Sequence, residues 1–240
     1  MTKTLLCGFQ KCGNTYTRFV LFNYYNIKNN GATETLTWDE LQKPHLLREE
    51  KGLNYFYTDG FPWIFHTHNA YDGQGLNVKY EGYPDYFKRF DKMIYIFRNP
   101  YDTMVSLWHW LMNRDSENYR LDLADFTREY LPKWLHHVKT TIGKADLILD
   151  YDHLRRFSLD FDRAIQLMDG FVDYEILDNA VKMSSFKNIR EMSERVNQPY
   201  GLGGPNYRGY FCRNGKTGQY KDAMSKSLIE WIKTECEGLI

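Results

Sequence analysis

A lysine, a glycine and a threonine follow the first apolar segment of the chain in close succession. They belong to the run KCGNTY at residues 11–16, which lies between a strand candidate, Thr4–Gly8, and a helix candidate, Thr15–Tyr25. The first N–H groups of a helix lack partners, and the helix dipole places partial positive charge there. Gly13 permits a positive φ or a close approach, and Lys11 supplies a full charge. The pattern therefore predicts a loop that binds a phosphate or a similar anion.

A second anion-binding pattern follows another apolar segment. The strand candidate Met93–Phe97 leads directly into Arg98. Ser106 lies in the next helix candidate, Asp102–Asn113, for which Asp102 is the expected N-cap. A guanidinium group at the carboxyl end of a strand can bind a phosphate through two parallel hydrogen bonds. Because ligands of parallel sheets bind beyond these strand ends, we expect Arg98 to lie at a binding site.

The first loop differs from the loop that binds ATP or GTP in many kinases and NTPases. In that motif the lysine follows a glycine directly and precedes a serine or threonine. Here Lys11 stands two residues before Gly13. A P-loop-like nucleotide kinase or NTPase therefore stays an alternative that the spacing disfavours, and a non-catalytic nucleotide-binding module is a second alternative.

Four segments, taken together, resemble the motifs of one enzyme family. KCGNTY at residues 11–16 resembles the Lys-Ser-Gly-[Thr/Asn]-Thr-Trp loop of sulfotransferases that use 3′-phosphoadenosine 5′-phosphosulfate (PAPS). RNPYDTMVS at residues 98–106, SSF at 184–186 and RNGKTGQYKD at 213–222 are similar to later motifs of that family, in the same order. The resemblance extends from Leu5 to Glu230, and the chain is identified as a member of the PAPS-dependent sulfotransferases of the cytosolic or bacterial small-molecule type.

The resemblance implies a binding site for PAPS and for its product, 3′-phosphoadenosine 5′-phosphate (PAP), without a metal. The first loop would bind the 5′-phosphosulfate, Arg98 the 3′-phosphate, and several aromatic side chains the adenine. The residues expected to bind the donor are Lys11, Cys12, Gly13, Asn14, Thr15, Tyr16, Arg98, Ser106, Tyr151, Ser184, Phe186, Arg213, Asn214 and Gly215. Asn214 replaces a lysine of the family motif and Tyr16 replaces a tryptophan, so both positions depart from the pattern.

The resemblance also implies direct in-line transfer of a sulfuryl group to a hydroxyl or amine of a small organic acceptor. His68 matches the catalytic histidine of the family's Lys-Thr-His segment and would act as the general base. Lys11 would stabilise the leaving phosphate, and Ser106 would hydrogen-bond Lys11 when the acceptor is absent. His66 replaces the lysine of that segment. A metal site at His66 and His68 is disfavoured because no third ligand follows at a suitable spacing.

The composition disfavours several kinds of partner. Lys plus Arg and Asp plus Glu number 31 each, so the formal net charge is zero, whereas binding nucleic acid by bulk electrostatics needs a basic protein. The N-terminal MTKTLLCGF lacks a long apolar stretch, so we expect neither a signal peptide nor a membrane anchor. Four cysteines without a CxxC pair indicate free thiols and a cytoplasmic protein. Cys12 and Cys212 are expected to be buried and inert, the alternative being that their oxidation hinders donor binding.

The apolar pattern predicts an α/β fold. We expect one domain over residues 1–240, in which helices flank a central, mostly parallel β-sheet and a P-loop-like loop binds the phosphosulfate implied by the resemblance. The strand candidates are Thr4–Gly8, Trp63–Thr67, Met93–Phe97 and Leu147–Leu149. The helix candidates are Thr15–Tyr25, Thr37–Gln42, Asp102–Asn113, Leu121–Ile142, Asp160–Asp169 and Ser225–Glu237. The helix Leu121–Ile142 is expected to break or kink near Pro132.

The sequence indicates which segments bind the acceptor but leaves two oligomeric states open. The segments expected to bind the acceptor are Trp38–Phe61, Tyr71–Tyr86, Trp108–Tyr119 and Asn197–Tyr210. Their Tyr and Trp content favours a small alcohol, phenol or amine, and Asn197–Gly209 is a candidate lid. Many relatives dimerise through a Lys-x-x-x-Thr-Val-x-x-x-Glu segment. Lys221 and Glu230 match its ends, but Ser225-Lys226 replaces Thr-Val, so a monomer and a homodimer both stay open.

Overall fold

The computed structural model describes residues 2–35, 47–50, 53–56, 63–75, 83–114, 121–156, 160–195 and 215–239. The helix candidate Thr37–Gln42, the candidate lid Asn197–Gly209 and residues 212–214, which include Arg213 and Asn214, lie outside this part of the chain. The chain divides into two compact units. One is drawn from Met1–Phe97 and His137–Ser185, and the other from Arg98–His136 and Phe186–Ile240.

The first unit contains a six-stranded β-sheet. Its strands are β1 (Lys3–Cys7), β2 (Leu47–Glu50), β3 (Leu53–Phe56), β4 (Trp63–Thr67), β5 (Lys92–Phe97) and β6 (Leu147–Asp150). They lie in the order β2-β3-β4-β1-β5-β6. The pairs β4–β1, β1–β5 and β5–β6 are parallel, whereas β2–β3 and β3–β4 are antiparallel. The predicted mostly parallel sheet is therefore confirmed.

The central strands β1 and β5 are covered on both faces, and this explains why their positions could be predicted from the sequence. Leu5 and Leu6 on β1 and Ile94 and Tyr95 on β5 are buried. Strands that are buried on both faces read as continuous apolar runs, which is the pattern that marks these segments. All four predicted strands are present, with ends within one residue of the predicted ones.

Helices make up most of the remaining described chain. They are α1 (Asn14–Asn30), α2 (Tyr83–Phe87), α3 (Pro100–Arg114), α4 (Leu123–Thr141), α5 (Tyr151–Leu154), α6 (Phe161–Asp169), α7 (Tyr174–Met183), α8 (Phe186–Arg195), α9 (Tyr220–Ala223) and α10 (Lys226–Glu235), with a 3₁₀ turn at Ile142–Lys144. The predicted helices at Thr15, Asp102, Leu121, Asp160 and Ser225 correspond to α1, α3, α4, α6 and α10. None of the described helices is long and apolar enough to span a membrane.

The helix α1, which follows the first loop, packs mainly on α7. Two hydrogen bonds join these segments: Asn23 Nδ2 donates to Ser184 Oγ (2.9 Å) in a buried position, and the backbone N–H of Asp173 donates to Tyr24 Oη (3.0 Å) in a partly buried one. The predicted end at Tyr25 is wrong, because the polar residues that follow continue the helix. It ends where Gly31, at φ 62°, donates its N–H to the Ile27 carbonyl.

The expected break at Pro132 is absent, since α4 continues through this residue. Pro132 has no N–H, so the carbonyl of Arg128 loses one helical hydrogen bond. Pro132 is exposed, and water can satisfy that carbonyl on the solvent side of the helix. On the other side Leu131 and Trp134 are completely buried, which stabilises the helix across the proline.

The N-cap of α3 is Asn99, so the prediction of Asp102 was wrong. Asn99 Oδ1 accepts a hydrogen bond from the backbone N–H of Asp102 (2.8 Å), and the Asn99 carbonyl accepts one from Thr103 N (3.2 Å). Pro100 is then the first helical residue, where its missing N–H would have had no helical partner. The Asp102 carboxylate binds backbone groups elsewhere in the same unit, as described below.

The cap of α7 gives a test of how the packing around α1 is stabilised. Asp173 accepts hydrogen bonds from Glu175 N (3.0 Å) and Ile176 N (3.1 Å). We expect Asp173→Ala to lower the free energy of unfolding by about 1 kcal/mol, measured by urea denaturation. The control is Asp178→Ala, because Asp178 is an exposed residue of the same helix that pairs only with Lys182 among its described contacts. An equal loss in both variants would contradict the capping role.

Candidate active site

The loop between β1 and α1 contains a tight turn and two residues with positive φ. Cys12 N donates to the Phe9 carbonyl (3.3 Å), which closes the turn. Lys11 has φ 67° and Gly13 has φ 99°. The conformation of Lys11 is unusual for a residue with a side chain and costs roughly 1–2 kcal/mol. The turn is followed at once by α1, so the predicted arrangement of strand, loop and helix N-terminus is confirmed.

The ring of Tyr151 lies directly against Gly13. A Cβ atom added to Gly13 would stand 2.0 Å from Tyr151 Cδ2, which leaves space for glycine alone. Tyr151 is held there because it begins α5 immediately after β6, and Asp150 caps that helix through Asp152 N (2.8 Å) and His153 N (3.2 Å). The structure thus brings together two residues that the sequence assigns to the donor site.

Tyr16 points into the packing behind the loop. Its ring meets Tyr151 and Phe161 edge to face, at centroid distances of 6.3 Å and 5.7 Å. The Arg155 guanidinium lies 5.1 Å from the centroid of the same ring. Tyr16 is buried, and this burial raises the pKa of its phenol. Its role as an adenine contact stays a prediction.

His68 follows β4 directly and lies beside the start of the loop. Its Nδ1 atom is 2.8 Å from the Gly8 carbonyl oxygen. A carbonyl oxygen can only accept a hydrogen bond, so Nδ1 must carry the proton, and Nε2 of the neutral ring then carries the lone pair. Asn14 adds to this arrangement, because its Nδ2 donates to the carbonyls of Phe9 (3.2 Å) and Gly8 (3.4 Å) and lies 3.4 Å from His68 Nδ1.

Two cations and burial keep the His68 ring neutral. Burial lowers the pKa of His68 to about 4; the hydrogen bond to Gly8 opposes this, and the charges of Arg18 and Lys11 lower the pKa further. Burial also lowers the pKa of Arg18, to about 10, so its guanidinium still carries its charge at neutral pH. The ring is therefore uncharged at neutral pH.

His66 packs against His68 with the ring centroids 4.4 Å apart and the planes almost perpendicular. Its pKa is lowered by burial and by the nearby His68 and Arg18. Within the described part of the chain, His66 Nε2 is buried and has no hydrogen-bond partner. The described residues also contain no group of three or more His, Cys, Asp or Glu side chains that could hold a metal ion.

In the second unit, Arg98 and Asp102 lie together with the segment 215–220. Arg98 is 5 % exposed; its Nη2 donates to the Lys216 carbonyl (3.3 Å) and lies 3.9 Å from Asp102 Oδ2. Asp102 is completely buried and accepts hydrogen bonds from the backbone N–H groups of Gly218 (2.6 Å) and Tyr220 (3.1 Å). Two motifs that are far apart in the sequence are therefore joined.

Phe186 completes this group. Gly215 has φ 62°, and a Cβ atom added to it would stand 2.2 Å from Phe186 Cδ2. The ring of Phe186 therefore rests against the backbone of Gly215. Three residues predicted to bind the donor, Arg98, Phe186 and Gly215, thus belong to one cluster within this unit.

The other predicted donor residues occupy varied surroundings. Thr15 and Ser106 are half-buried, in the first turn of α1 and the second turn of α3. Cys12 is a buried free thiol, as is Cys7, whose pKa is raised by burial and by the nearby Cys12. The Ser184 hydroxyl is buried between α1 and α7, where it donates to the Ala180 carbonyl (2.7 Å). A direct contact of Ser184 with the donor stays a prediction.

Comparison with known proteins decides the family. The family model described as "Sulfotransferase domain" matches residues 1–239. The chain belongs to the sulfotransferase family. The predicted family and enzyme class are thereby confirmed.

Curated relatives and solved structures agree with this family. The sulfotransferase is 24% identical to cytosolic sulfotransferase 12 of Arabidopsis thaliana over 95% of this chain and 74% of the relative. It is 27% identical to luciferin sulfotransferase of Photinus pyralis over 61% of this chain and 45% of the relative. The structure of mouse sulfotransferase SULT7A1 complexed with PAP has a TM-score of 0.65 at 18% identity, covering 99% of this chain and 84% of that one. The structure of retinol dehydratase in complex with retinol and PAP has a TM-score of 0.69 at 17% sequence identity, and the match covers 97% of this chain and 79% of that one.

Three features of this sulfotransferase were not predicted from its sequence. They are the Gly8 carbonyl as the partner of His68, the Arg18 charge close to both histidines, and the Asp102 carboxylate as a binder of backbone N–H groups. Arg18 follows Asn14 by four residues, so helical periodicity would have placed both on one face of α1. The other two features depend on residues that are distant in the sequence, and no local pattern indicates them.

The contact between Gly13 and Tyr151 yields a prediction on stability. Gly13→Ala introduces an overlap with the ring and a strained positive φ, so we expect a loss of unfolding free energy of roughly 1–3 kcal/mol. Gly143→Ala is the control, because its Cβ would meet nothing within 4 Å. The double variant Gly13→Ala/Tyr151→Ala removes the overlap, and the coupling between the two changes is read from urea denaturation of all four proteins. Strictly additive losses would contradict the contact.

Proposed function

We propose that this sulfotransferase transfers the sulfuryl group of PAPS to a hydroxyl or amine of a small organic acceptor and releases PAP. The observation that carries the proposal is the arrangement of His68. Its Nδ1 is 2.8 Å from the Gly8 carbonyl, directly before the loop that contains Lys11. A neutral histidine with its lone pair on Nε2 is the form that a general base requires.

In this proposal His68, Lys11, the start of α1 and the Gly8 carbonyl each have one role in the transfer. His68 Nε2 takes the proton from the acceptor hydroxyl or amine while the oxygen or nitrogen of that group attacks the sulfur of PAPS. The bound donor supplies the sulfuryl group and a phosphate leaving group. Lys11 and the N–H groups at the start of α1 stabilise the negative charge that develops on the departing phosphate. The Gly8 carbonyl holds the His68 ring in the required tautomer throughout.

We assign the two clusters to the two ends of the donor. The first loop, with Lys11 and Gly13, binds the 5′-phosphosulfate, and Arg98, with Ser106 and Gly215, binds the 3′-phosphate. The near-burial of Arg98 supports this assignment, because a phosphate bound there exchanges strong hydrogen bonds with little competing water. The family model spans both units, which supports one functional domain over the chain.

The low pKa of His68 is compatible with its proposed role. The Arg18 and Lys11 charges lower this pKa, and a bound phosphosulfate brings negative charge to the same place. Nearby negative charge stabilises the protonated imidazolium, so donor binding is expected to raise the pKa towards the reference value of about 6.5. The base would then be strongest when the donor is present.

The relatives support the proposed acceptor class and location. One is a luciferin sulfotransferase, and retinol dehydratase was solved in complex with retinol, so small organic compounds are bound by members of the family. Relatives from Arabidopsis thaliana carry the name cytosolic sulfotransferase. We accordingly propose a small organic alcohol, phenol or amine as acceptor and a cytoplasmic location.

The direct test is sulfuryl transfer from radiolabelled PAPS to a panel of phenols, alcohols and amines. We expect turnover by the natural protein and a loss of ~10²–10⁴-fold in kcat for His68→Asn. PAP should bind both proteins with similar Kd, because His68 is not assigned to the donor site. Undiminished turnover of His68→Asn would exclude the base assignment. Displacement of PAP by ATP at equal concentration would favour the kinase or NTPase alternative.

The state of the histidine can be tested without catalysis by NMR. The His68 signals, assigned by their loss in His68→Asn, should show a proton on Nδ1 and a ring that stays neutral down to about pH 5. Because the pKa is lowered, protonation occurs only as the pH falls through about 4. Addition of PAP should move the midpoint to higher pH. A midpoint near the reference value in the free protein would contradict the buried arrangement.

A further inference from the structure

We propose that Asp102 is a positioning residue that joins Arg98 and the segment Gly215–Tyr220 into one binding site for a 3′-phosphate, and that it thereby determines selectivity for 3′-phosphorylated nucleotides. This inference rests on the proposed use of PAPS. Asp102 has no contact with the nucleotide in this scheme. It acts through the backbone groups and the side chain that it holds.

The hydrogen bonds of Asp102 are the first argument. The carboxylate is completely buried, a location that an aspartate occupies only when its charge is compensated. It accepts hydrogen bonds from Gly218 N (2.6 Å), from Tyr220 N (3.1 Å) and from Asn99 Nδ2 (3.3 Å). Two of these donors belong to the C-terminal motif. The carboxylate therefore fixes the path of that backbone relative to the start of α3.

The geometry of Arg98 is the second argument. Its Nη2 is 3.9 Å from Asp102 Oδ2, which is too long for a hydrogen bond, and it donates to the Lys216 carbonyl at 3.3 Å. The carboxylate thus lies close enough to compensate the buried guanidinium charge without engaging it in a bidentate pair. A guanidinium group has five N–H donors in a planar fork, and such a fork suits a phosphate.

The conformation of the held segment is the third argument. Gly215 and Gly218 have φ values of 62° and 80°, in the left-handed region that favours glycine. The turn at Gly218 directs its N–H to Asp102, and Gly215 presents its backbone against the ring of Phe186. Arg98, Phe186 and Gly215 were each expected at the donor site, and Asp102 adds two hydrogen bonds to the contacts that connect the start of α3 with the segment of Gly215.

The experiment compares two nucleotides that differ only in the 3′-phosphate, PAP and adenosine 5′-phosphate, by isothermal titration calorimetry. Asp102→Asn keeps the shape but replaces one acceptor oxygen by a donor and removes the charge. We expect the Kd for PAP to rise by about 10–100-fold and the Kd for adenosine 5′-phosphate to change by less than about threefold. In turnover, the KM for PAPS should rise while kcat at saturating PAPS stays nearly unchanged.

Controls distinguish positioning from a general loss of structure. Asp125→Asn removes an exposed carboxylate that pairs with Arg128, and it should leave both affinities unchanged. Equal weakening of PAP and adenosine 5′-phosphate by Asp102→Asn would show a purely structural role and overturn the proposal, as would unchanged binding of both. Failure of the natural protein to prefer PAP would instead overturn the proposed function itself.

A second pair of variants keeps the proposal testable if Asp102→Asn does not fold. In the first variant an α-hydroxy acid replaces Tyr220, so that the backbone N–H that Asp102 binds becomes an ester oxygen while the ring that stacks on Tyr101 is kept. In the second the same exchange is made at Lys221, whose N–H donates to the Gly218 carbonyl. We expect the preference for PAP over adenosine 5′-phosphate to fall in the Tyr220 ester relative to the Lys221 ester. The same preference in both variants would overturn the proposal.

Discussion

The hydrogen bond from His68 to the carbonyl of Gly8 is the interaction on which the candidate active site depends. It spans two adjacent parallel strands, because Gly8 follows β1 and His68 follows β4. The same strand end begins the loop with Lys11 and Gly13. The proposed general base and the loop proposed to bind the phosphosulfate therefore share one backbone position, and the register of the sheet sets the relation between them. Many histidine bases are oriented by a carboxylate, whereas the partner of His68 is a neutral carbonyl, which adds no negative charge beside the proposed phosphosulfate site.

Each of the two clusters contains an arginine, and the surroundings of the two guanidinium groups differ. Arg18 and Lys11 act on His68, and the two histidines stay neutral through burial and through these cations. In the other unit, the buried Arg98 has the Asp102 carboxylate nearby. The two clusters therefore differ in the surroundings of their arginine: Arg18 lies near two neutral histidines, whereas Arg98 lies near a carboxylate that accepts hydrogen bonds from backbone N–H groups. Each cluster also contains a cation that is proposed to bind the anionic donor, Lys11 in one and Arg98 in the other.

The sequence predicted those features that depend on short stretches of chain. Nearly continuous apolar runs indicated β1, β5 and β6, and glycine after a strand indicated the first loop. The antiparallel strands β2 and β3 were missed because four-residue segments such as LREE give too little periodicity to recognise. The helices α7 and α8 were missed although both are amphipathic. The role of Asp102 could not be predicted from a local pattern, because its partner Gly218 is 116 residues away in the sequence.

The conformation of Lys11 departs from the local preference of a residue with a side chain. It occupies the third position of the turn Phe9–Cys12 at φ 67°, a position that favours glycine or asparagine. A glycine there would relieve roughly 1–2 kcal/mol of strain. The positive φ of Lys11 is followed by that of Gly13, and α1 begins at the next residue, Asn14. Strain of this kind persists only where neighbouring contacts fix the backbone, and here the packing of Tyr151 on Gly13 and the hydrogen bonds of Asn14 do so. The unusual φ of Lys11 is thus stabilised by the contacts of the residues that follow it.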